Sequence, residues 1–476
     1  MAIEWSNSGL DLHVDLGTGQ RGRGIADAIR HAVRDGRLAA GTRMPSTRAL
    51  AADLGIARGT VTRAYAELTA EGYLRSHQGA PTVVAALTRQ AGAAPTPPVS
   101  SVTEWRWNLM PGRPDLTRFP RAAWLAATRR ALTHSVAADL DYGDGAGHPR
   151  LRTALADYLG RVRGVVASPE RIVVCGGYGQ ALHLLAGVLR AAGADSIAFE
   201  DPSLPQFRDV VHDAGLATVG VPIDEHGIRV DALAGLSGHA AVVVTPAHQF
   251  PLGVTLHPHR RTALVELARA MSTVVIEDDY DGEFRFDRQP VGALQAMAPD
   301  QVIYAGTASK TLAPGLRLSW LVLPDRLVEP VRAARLGDRH NSVIEQLAMA
   351  ELLESGDYDQ HVRRCRTHYR ARRDRLVDVL TELGGELAPA GIAAGLHMVL
   401  LLPDQATETE VLMRAAARSL LVEGLRAMWL PSGGEPRPGG IIVGYAAPPD
   451  HGFGSALGVL ADVLTEVLGG PSVDIR

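Results

Sequence analysis

The chain has 476 residues, of which 46% are apolar and 21% charged, so it is long enough for two or three globular domains with sizeable cores. Its formal net charge of −4 excludes a chain-wide attraction to nucleic acid or acidic membranes. Two cysteines exclude a disulfide framework or a cysteine-rich metal centre, and no apolar run reaches membrane-spanning length. We therefore expect a cytoplasmic protein without a metal site or a signal peptide.

The first part of the chain, residues 20–85, is basic although the whole chain is acidic. It holds ten arginines and five acidic residues, which gives a net charge of +5. Ile25 and Ile29 lie four residues apart, which predicts a helix with one apolar face. A second helix is expected to begin after the N-cap Ser46 and to end at Gly55, because its leucines recur at helical spacing.

The stretch IARGTVTRAYAELTAEGYL predicts a third helix with Val61, Tyr65 and Leu68 on one face. The stretch GYLRSHQGAPTVVA then predicts two short strands around residues 77–79. Two helices joined by a turn of about three residues, followed by such a hairpin, are typical of a winged helix-turn-helix, whose second helix enters the major groove by its N-terminal end. A small helical bundle with a solvated arginine face is the alternative interpretation.

The segment MPSTRALAADLGIARGTVTRAYAELTAEGYL resembles the signature of the GntR family of bacterial regulators. This resemblance implies DNA contacts from the helix that begins near Arg58 and from the wing, which is the predicted hairpin around residues 77–79. Charge and position, rather than the resemblance, add Arg43 and Arg63 as phosphate contacts. The full set of residues expected at the DNA is Arg43, Ser46, Thr47, Arg48, Arg58, Thr60, Thr62, Arg63, His77, Gln78 and Gly79.

Residues 86–104 separate this basic region from the rest of the chain. They are rich in Ala, Pro, Ser and Thr without periodicity, which predicts a linker. The expected division is a winged-helix DNA-binding domain at 1–85, the linker at 86–104 and a large domain at 105–476. A region of about 370 residues is large enough for one α/β domain with a smaller lobe.

From residue 170 onward, short apolar runs alternate with helical patterns. RIVVCGGYG, DSIAFEDPS, HAAVVVTPA, STVVIEDDYD and QVIYAGTASK each end in polar or turn residues. Continuous β-branched runs separated by helices predict a buried, mostly parallel sheet with helices on both faces, so the fold class is α/β. In such sheets we expect ligands beyond the carboxyl ends of the strands.

Two of these strand ends carry groups suited to a charged ligand. CGGYGQAL puts Gly177 and Gly179 at a strand-to-helix turn, where free N–H groups bind anions, although glycines at such turns are often structural. VVIEDDYDGEF puts Asp278 at the end of a buried strand, where a carboxylate can hold a ring nitrogen protonated. Loop acids in water are the alternative interpretation, which suits Asp279 and Asp281 better than the acid nearest the strand.

A third strand end, GTASKTLAPGLR, contains Lys310, which is the only lysine among the 48 lysine and arginine residues. Arginine replaces lysine in ion pairs and phosphate contacts, but only an amine can attack a carbonyl to form a Schiff base. Drift in an arginine-rich chain is the alternative explanation. Thr307, Ser309 and Arg317 surround this amine with groups that suit a phosphate, so the three strand ends together predict pyridoxal 5′-phosphate (PLP) as the cofactor.

The whole chain resembles the MocR/GabR family of bacterial transcription regulators, which join a GntR winged helix to a fold-type-I aminotransferase-like domain with a smaller C-terminal α+β lobe. EDDYDGEF and GTASKTLAPGLR carry this resemblance. It implies that Lys310 holds PLP as an aldimine, that Asp278 pairs with the pyridine nitrogen and that Tyr280 pairs with the ring hydroxyl. The residues expected around the phosphate are Gly177, Tyr178, Gly179, Thr307, Ser309 and Arg317, with Tyr142 from the neighbouring subunit of a homodimer.

Three positions depart from the aminotransferase pattern. Leu204 replaces a ring-stacking tyrosine, and Phe250 replaces an asparagine. Ile442 stands near the place of the arginine that binds a substrate carboxylate, with Arg437 as an alternative. We therefore expect a PLP-dependent regulator of an operator DNA with little or no enzymatic turnover, whose effector is PLP itself or an amine or amino acid. An active aminotransferase with a vestigial winged helix, and a GntR regulator without PLP, are the alternatives.

Overall fold

The computed structural model describes residues 21–77, 80–86, 105–235, 239–286, 291–335, 341–384, 389–431 and 437–469. The chain divides into two compact units, Met1–Thr103 and Glu104–Arg476. Each unit has its own hydrophobic core, as expected of separately folded domains. Gln78 and Gly79 of the predicted wing, and residues 87–104 of the predicted linker, lie outside the described residues.

The smaller unit is a winged helix-turn-helix, as predicted. Its described elements are α1 (Arg21–Arg34), α2 (Thr47–Asp53), α3 (Arg58–Ala70), β1 (Leu74–Arg75) and β2 (Val83–Val84). The two strands pair antiparallel, and Ile25, Ile29 and Leu68 lie in the core that the three helices enclose. The Ser46 hydroxyl accepts a hydrogen bond of 3.1 Å from the Ala49 N–H, so it caps α2 as its sequence position predicted.

The larger unit begins with the short strand β3 (Trp107–Asn108) and is built around an eight-stranded sheet. The strands of that sheet are β4 (Ile172–Cys175), β5 (Ser196–Asp201), β6 (Ala217–Asp224), β7 (Gly227–Ile228), β8 (His239–Val244), β9 (Val274–Asp279), β10 (Val302–Thr307) and β11 (Ser319–Val322). Their order is β4-β11-β10-β9-β8-β5-β6-β7. The five strands from β10 to β6 pair in parallel, whereas β11 is antiparallel to both neighbours and β7 to β6. This confirms the mostly parallel sheet.

Helices cover both faces of this sheet. They are α4 (Arg121–His134), α5 (Pro149–Arg163), α6 (Tyr178–Ala191), α7 (Pro205–Asp213), α8 (Val230–Ala234), α9 (Pro258–Met271), α10 (Asp325–Ala334), α11 (Val343–Ser355) and α12 (Asp357–Glu382). Successive strand residues alternate between the faces: Ile303 packs with leucines of α6, and Tyr304 packs with leucines of α5 and α11. No helix in the described parts of the chain is both long and apolar enough to cross a membrane.

The predicted C-terminal α+β lobe has a four-stranded sheet of its own. It contains β12 (Pro389–Ala390), β13 (His397–Leu402), α13 (Gln405–Ala417), β14 (Leu420–Leu421), β15 (Glu423–Gly424), β16 (Gly439–Gly444) and α14 (Asp450–Leu468). The strand order in the sheet is β12-β13-β16-β15, while β14 pairs in parallel with β3. The lobe therefore folds back onto the first strand of the same unit.

Two glycines give a matched test of core packing. A Cβ at Gly306 on β10 would lie 2.4 Å from Nε1 of Trp320, a side chain that is 2% exposed, whereas a Cβ at Gly187 on α6 has nothing within 4 Å. We expect Gly306→Ala to lower the free energy of unfolding by about 1–3 kcal/mol. Gly187→Ala should raise it by about 0.5–1 kcal/mol, because alanine favours the helix. Denaturant titrations that give both variants the same midpoint would contradict this packing.

Candidate functional site

A cavity of about 440 Å³ lies at the carboxyl ends of the central strands of the larger unit. Parallel strands end at the same edge of a sheet, so residues that are distant in the sequence meet there. The predicted cofactor residues that line this cavity are Gly177, Tyr178, Gly179, Asp278, Tyr280, Thr307, Ser309, Lys310 and Arg317. Of the predicted set, Tyr142 lies elsewhere.

Lys310 lies three residues beyond the end of β10 and lines the cavity. Its Nζ donates a 2.6 Å hydrogen bond to the Gly112 carbonyl. Burial lowers the pKa of the Lys310 amine, while the negative charges of Asp278 and Asp281 raise it and Arg113 lowers it further. A lowered pKa increases the neutral fraction of the amine near neutral pH, and the neutral amine is the form that attacks a carbonyl.

The acidic residues next to Asp278 in the sequence already have protein partners. Glu277 accepts two backbone hydrogen bonds of 2.8 and 2.9 Å. Asp279 accepts two from the Arg163 guanidinium, at 2.7 and 2.9 Å. The interpretation of Asp279 and Asp281 as solvated loop acids is wrong, because they are 4% and 2% exposed. Their partners come from other elements, which a local sequence pattern does not reveal.

Asp278 differs from these neighbours because it has no hydrogen-bond donor among the described residues. It lines the cavity, and it is paired in register with Ala305 on β10, the strand that leads to Lys310. Burial raises the pKa of Asp278 well above its ordinary value, and the charge of Lys310 opposes part of that rise. Such a carboxyl is stabilised in its ionised form by any cationic N–H donor that enters the cavity.

A buried network fixes the Tyr280 hydroxyl at the cavity wall. His248 Nδ1 lies 2.9 Å from Asp281 Oδ2 and 3.0 Å from the Tyr280 hydroxyl, which donates to the His248 carbonyl at 3.1 Å. The His397 ring lies 5.1 Å from the His248 ring, and its Nε2 donates to the Pro251 carbonyl at 3.1 Å. Burial lowers the pKa of His397 to about 3, so this ring is neutral. Of this network, only Tyr280 was predicted from the sequence as a cofactor residue.

Glu200 is a second buried carboxyl in the cavity wall that the sequence did not single out. It lies at the end of β5 and accepts hydrogen bonds from the backbone N–H and the hydroxyl of Thr245, at 3.0 and 2.7 Å. Burial raises the pKa of Glu200 to about 7, and the bonds from Thr245 counteract part of that rise. Glu200 therefore joins β5 to the end of β8 beneath the cavity.

The glycine turn and Arg317 form an anion-binding corner. Gly177 has φ +114° and precedes α6, and a Cβ there would lie 2.9 Å from the Arg317 guanidinium carbon. Arg317 itself has φ +52°, a conformation supported by a 2.8 Å hydrogen bond from the Asn341 amide to its carbonyl. Its guanidinium forms no ion pair with any described residue. The Thr307 hydroxyl donates to Ser309 Oγ at 2.9 Å beside it. A helix N-terminus, an arginine and two hydroxyls suit a phosphate.

Apolar side chains make up much of the remaining cavity wall, which also contains Glu423 and Arg113. Leu204 and Phe250 line the cavity and pack against an apolar cluster that includes the fully buried Ile442 on β16. Arg437 forms an ion pair of 2.9 Å with Asp201 and is not among the described residues that line the cavity. The departures from the aminotransferase pattern therefore lie together, and Arg437 does not replace the missing arginine.

Tyr142 lines a separate hollow of about 200 Å³ with Asp144 and Arg335. It is 80% exposed. The same stretch of chain, α4 and the turn after it, carries the exposed apolar side chains Leu125, Leu132, Val136 and Leu140. Apolar side chains concentrated in this way are typical of a surface that another protein covers.

Most of the predicted DNA-contacting residues lie on α2 and α3, with Arg43 and Ser46 before α2 and His77 after β1. Arg58 Nε donates to the Thr47 hydroxyl at 3.3 Å, and the Thr62 hydroxyl donates to the Arg58 carbonyl at 3.0 Å. Val61 and Tyr65 of the same helix are buried, so the basic side chains point away from the core. The predicted residues that are exposed or half-exposed are Arg43, Ser46, Thr47, Arg48, Arg58, Thr60, Thr62, Arg63 and His77.

Two family models match the chain, one for each unit. Residues 21–84 match the bacterial regulatory proteins of the gntR family, and residues 108–428 match aminotransferase class I and II. The HTH-type pyridoxine biosynthesis transcriptional regulator PdxR of Corynebacterium glutamicum is 34% identical over 93% of this chain and 95% of its own length. The probable rhizopine catabolism regulatory protein MocR of Rhizobium meliloti is 33% identical over 89% and 90%.

Solved structures similar to the larger unit are aminotransferases. An archaeal alanine:glyoxylate aminotransferase superposes with a TM-score of 0.68 at 26% identity, covering 76% of this chain and 91% of its own. The kynurenine aminotransferase of Pyrococcus horikoshii superposes with a TM-score of 0.69 at 25% identity, covering 77% and 92%. The arrangement of strands around the cavity is thus that of a class I/II aminotransferase.

Neighbouring carboxyls should respond oppositely to neutralisation. Asp279→Asn removes one partner of a buried ion pair with Arg163 and should lower the free energy of unfolding by about 3–5 kcal/mol. The folded pKa of Asp278 is raised, so its contribution to stability falls as pH rises past the ordinary pKa of an aspartate. In protein stripped of small molecules, the stability of Asp278→Asn relative to wild type should therefore grow as pH rises above the ordinary pKa of an aspartate. Equal losses in both variants would contradict these environments.

Proposed function

Because the chain belongs to the MocR-type transcription regulators, in which a GntR winged helix precedes an aminotransferase class I/II domain, we propose that its larger unit binds PLP and couples this cofactor to operator binding. The observation that carries the proposal is that the only lysine shares one cavity with Asp278 and with the turn at Gly177. PLP has an aldehyde that suits the lysine, a pyridine nitrogen that suits Asp278 and a phosphate that suits the turn at Gly177.

The residues divide the binding of PLP among them. Lys310 would hold the aldehyde, Asp278 would accept a hydrogen bond from the ring nitrogen, and Tyr280, whose hydroxyl lies 3.0 Å from His248 Nδ1, would pair with the ring oxygen. When bound, PLP supplies an electrophilic carbon and an electron-withdrawing ring. The phosphate would be bound by Gly177, Tyr178, Gly179, Thr307, Ser309 and Arg317, which all line the cavity. The raised pKa of Asp278 supports this assignment, because a ring N–H would stabilise the carboxylate.

Regulation, rather than turnover, suits the rest of the cavity. Transamination requires a substrate held by its carboxylate so that the reacting bond is correctly oriented. Leu204 and Phe250 line the cavity, the buried Ile442 stands near the place of the expected arginine, and Arg437 is paired with Asp201. We expect little or no keto-acid production from common amino acids, and sustained production would favour the aminotransferase alternative.

The effector is PLP itself or an amine that reaches Lys310 through the same cavity. The relative from Corynebacterium glutamicum is named for pyridoxine biosynthesis, which supports a signal from vitamin B6 metabolism. Either ligand would act through a difference in its affinity for two states of the protein that bind DNA differently. Footprinting of the operator, followed by identification of the adjacent genes, would distinguish the two signals.

A homodimer would complete both functional units. Tyr142 is 80% exposed in a stretch rich in exposed apolar side chains, which a second copy would cover. In that dimer Tyr142 of each subunit reaches the cofactor phosphate of the other. Two subunits also carry two winged helices, which suits an operator with two half-sites.

Lys310 should be the site of covalent cofactor attachment. Protein incubated with PLP should be yellow, and borohydride should add the cofactor mass to the peptide that contains Lys310, because burial lowers the pKa of this amine. Lys310→Arg keeps the charge and should add no mass, since a guanidinium does not react. A colourless protein, or label that persists in Lys310→Arg, would refute the assignment.

Arg58 should contribute to operator recognition beyond its charge. In the full-length protein, Arg58→Ala should weaken binding to a DNA duplex selected by the wild type by about 1–3 kcal/mol. Arg37→Ala removes the same charge from the same unit at a position paired with Asp35, and should cost much less. Fluorescence anisotropy would measure both affinities at one salt concentration. Equal losses in the two variants would show that only non-specific attraction had been measured.

A further inference from the structure

Glu423 is an acidic residue in the wall of the same cavity that holds Lys310. It lies on β15, which pairs antiparallel with β16, and its partner in register is Ile442. Glu423 therefore stands beside the position where an arginine for a substrate carboxylate was expected from the aminotransferase pattern. A negative charge takes the place of a positive one at this end of the cavity.

The carboxyl of Glu423 has no cationic partner. No lysine, arginine or histidine among the described residues forms an ion pair with it. The charge that acts on Glu423 is that of Glu408, whose own carboxylate accepts hydrogen bonds from the backbone N–H groups of Arg426 and Gly440, at 3.1 and 2.9 Å. Burial raises the pKa of Glu423, and the charge of Glu408 adds to that rise. A cation placed at Glu423 would relieve both effects.

The surroundings of Glu423 do not suit a carboxylate ligand. Leu204, Phe250 and Met428 line the same cavity and belong with Ile442 to one apolar cluster. Arg113 is an exposed cation that also lines the cavity. It follows Gly112, whose carbonyl accepts a hydrogen bond from Lys310 Nζ, and the charge of Arg113 acts on the Lys310 amine. A ligand in this cavity therefore has the Lys310 amine, apolar side chains and the Glu423 carboxyl in the wall around it.

We infer that the effector cavity selects an amine whose far end is positively charged, and that Glu423 is the residue that binds this second cation. The inference rests on the proposed function, since the first amine of the ligand approaches the cofactor at Lys310. A diamine, or an amine with another cationic group, fits this chemistry. An amino acid whose far end is a carboxylate does not.

Three five-carbon amines test this selectivity because they differ only at the far end. 1,5-Diaminopentane ends in an ammonium, pentylamine in a methyl group and 5-aminopentanoate in a carboxylate. Each is titrated into the PLP-loaded wild-type protein, and the change in the visible absorption of the bound cofactor reports binding. We expect the diamine to bind about tenfold tighter than pentylamine, and 5-aminopentanoate to bind more weakly than both. The Glu423 carboxylate attracts the far ammonium of the diamine and repels the carboxylate of 5-aminopentanoate.

Variants of Glu423 should change the order of affinity without loss of the cofactor. Glu423→Gln should bring the three amines within about twofold of one another, and Glu423→Arg should make 5-aminopentanoate the tightest ligand. Glu266→Gln removes an acid on α9 that is exposed and does not line the cavity, and it should leave the order unchanged.

The outcomes separate this inference from the proposal on which it rests. A protein that takes up no PLP and shows no visible absorption refutes the cofactor proposal, and with it the inference. A PLP-loaded protein that responds to none of the amines, binds all three equally, or keeps its preference in Glu423→Gln refutes the inference alone. The predicted order in the wild type, its loss in Glu423→Gln and its reversal in Glu423→Arg together support it.

Discussion

Two opposite charges removed from water, the Lys310 ammonium and the Asp278 carboxylate, set the chemistry of the larger unit. They lie at the ends of β10 and β9, which run parallel with Ala305 opposite Asp278. Burial disfavours the charged form of each group, so the pKa of Lys310 is lowered and that of Asp278 is raised, and their mutual attraction offsets part of this effect. A ligand that offers a carbonyl group to the Lys310 amine and an N–H group to the Asp278 carboxyl would give each of these groups a partner.

The surrounding structure keeps these two groups available by supplying partners to their neighbours. Asp279 is bound by Arg163, and Asp281 lies within hydrogen-bond distance of His248. These neighbours already have hydrogen-bond partners inside the protein. Of this acidic segment, Asp278 alone lines the cavity, and no described residue donates a hydrogen bond to its carboxyl group. Leu204, Phe250 and Met428 add apolar surface to the wall of the same cavity.

The sequence predicted those parts of the site that are local. Lys310 follows an apolar strand by three residues and Asp278 is the penultimate residue of another, so strand and functional group appear in one short motif. The network of His248 was not predictable, since its contact with Asp281 spans 33 positions and joins two different strand ends. The solvated interpretation of Asp279 failed for the same reason, because Arg163 lies 116 positions away. Strand order, the antiparallel β11 and the pairing of β14 with β3 likewise depend on contacts that no local pattern encodes.

Operator affinity measured with and without PLP tests most directly whether Lys310 links the cofactor to DNA binding. The measurement uses full-length wild type and Lys310→Arg, which have the same net charge, at one salt concentration. If the covalent cofactor controls the DNA-binding state, PLP should change the affinity of the wild type by about tenfold or more and leave that of Lys310→Arg unchanged. An equal response of both proteins, or a wild type that does not respond, would contradict a regulatory role for this site.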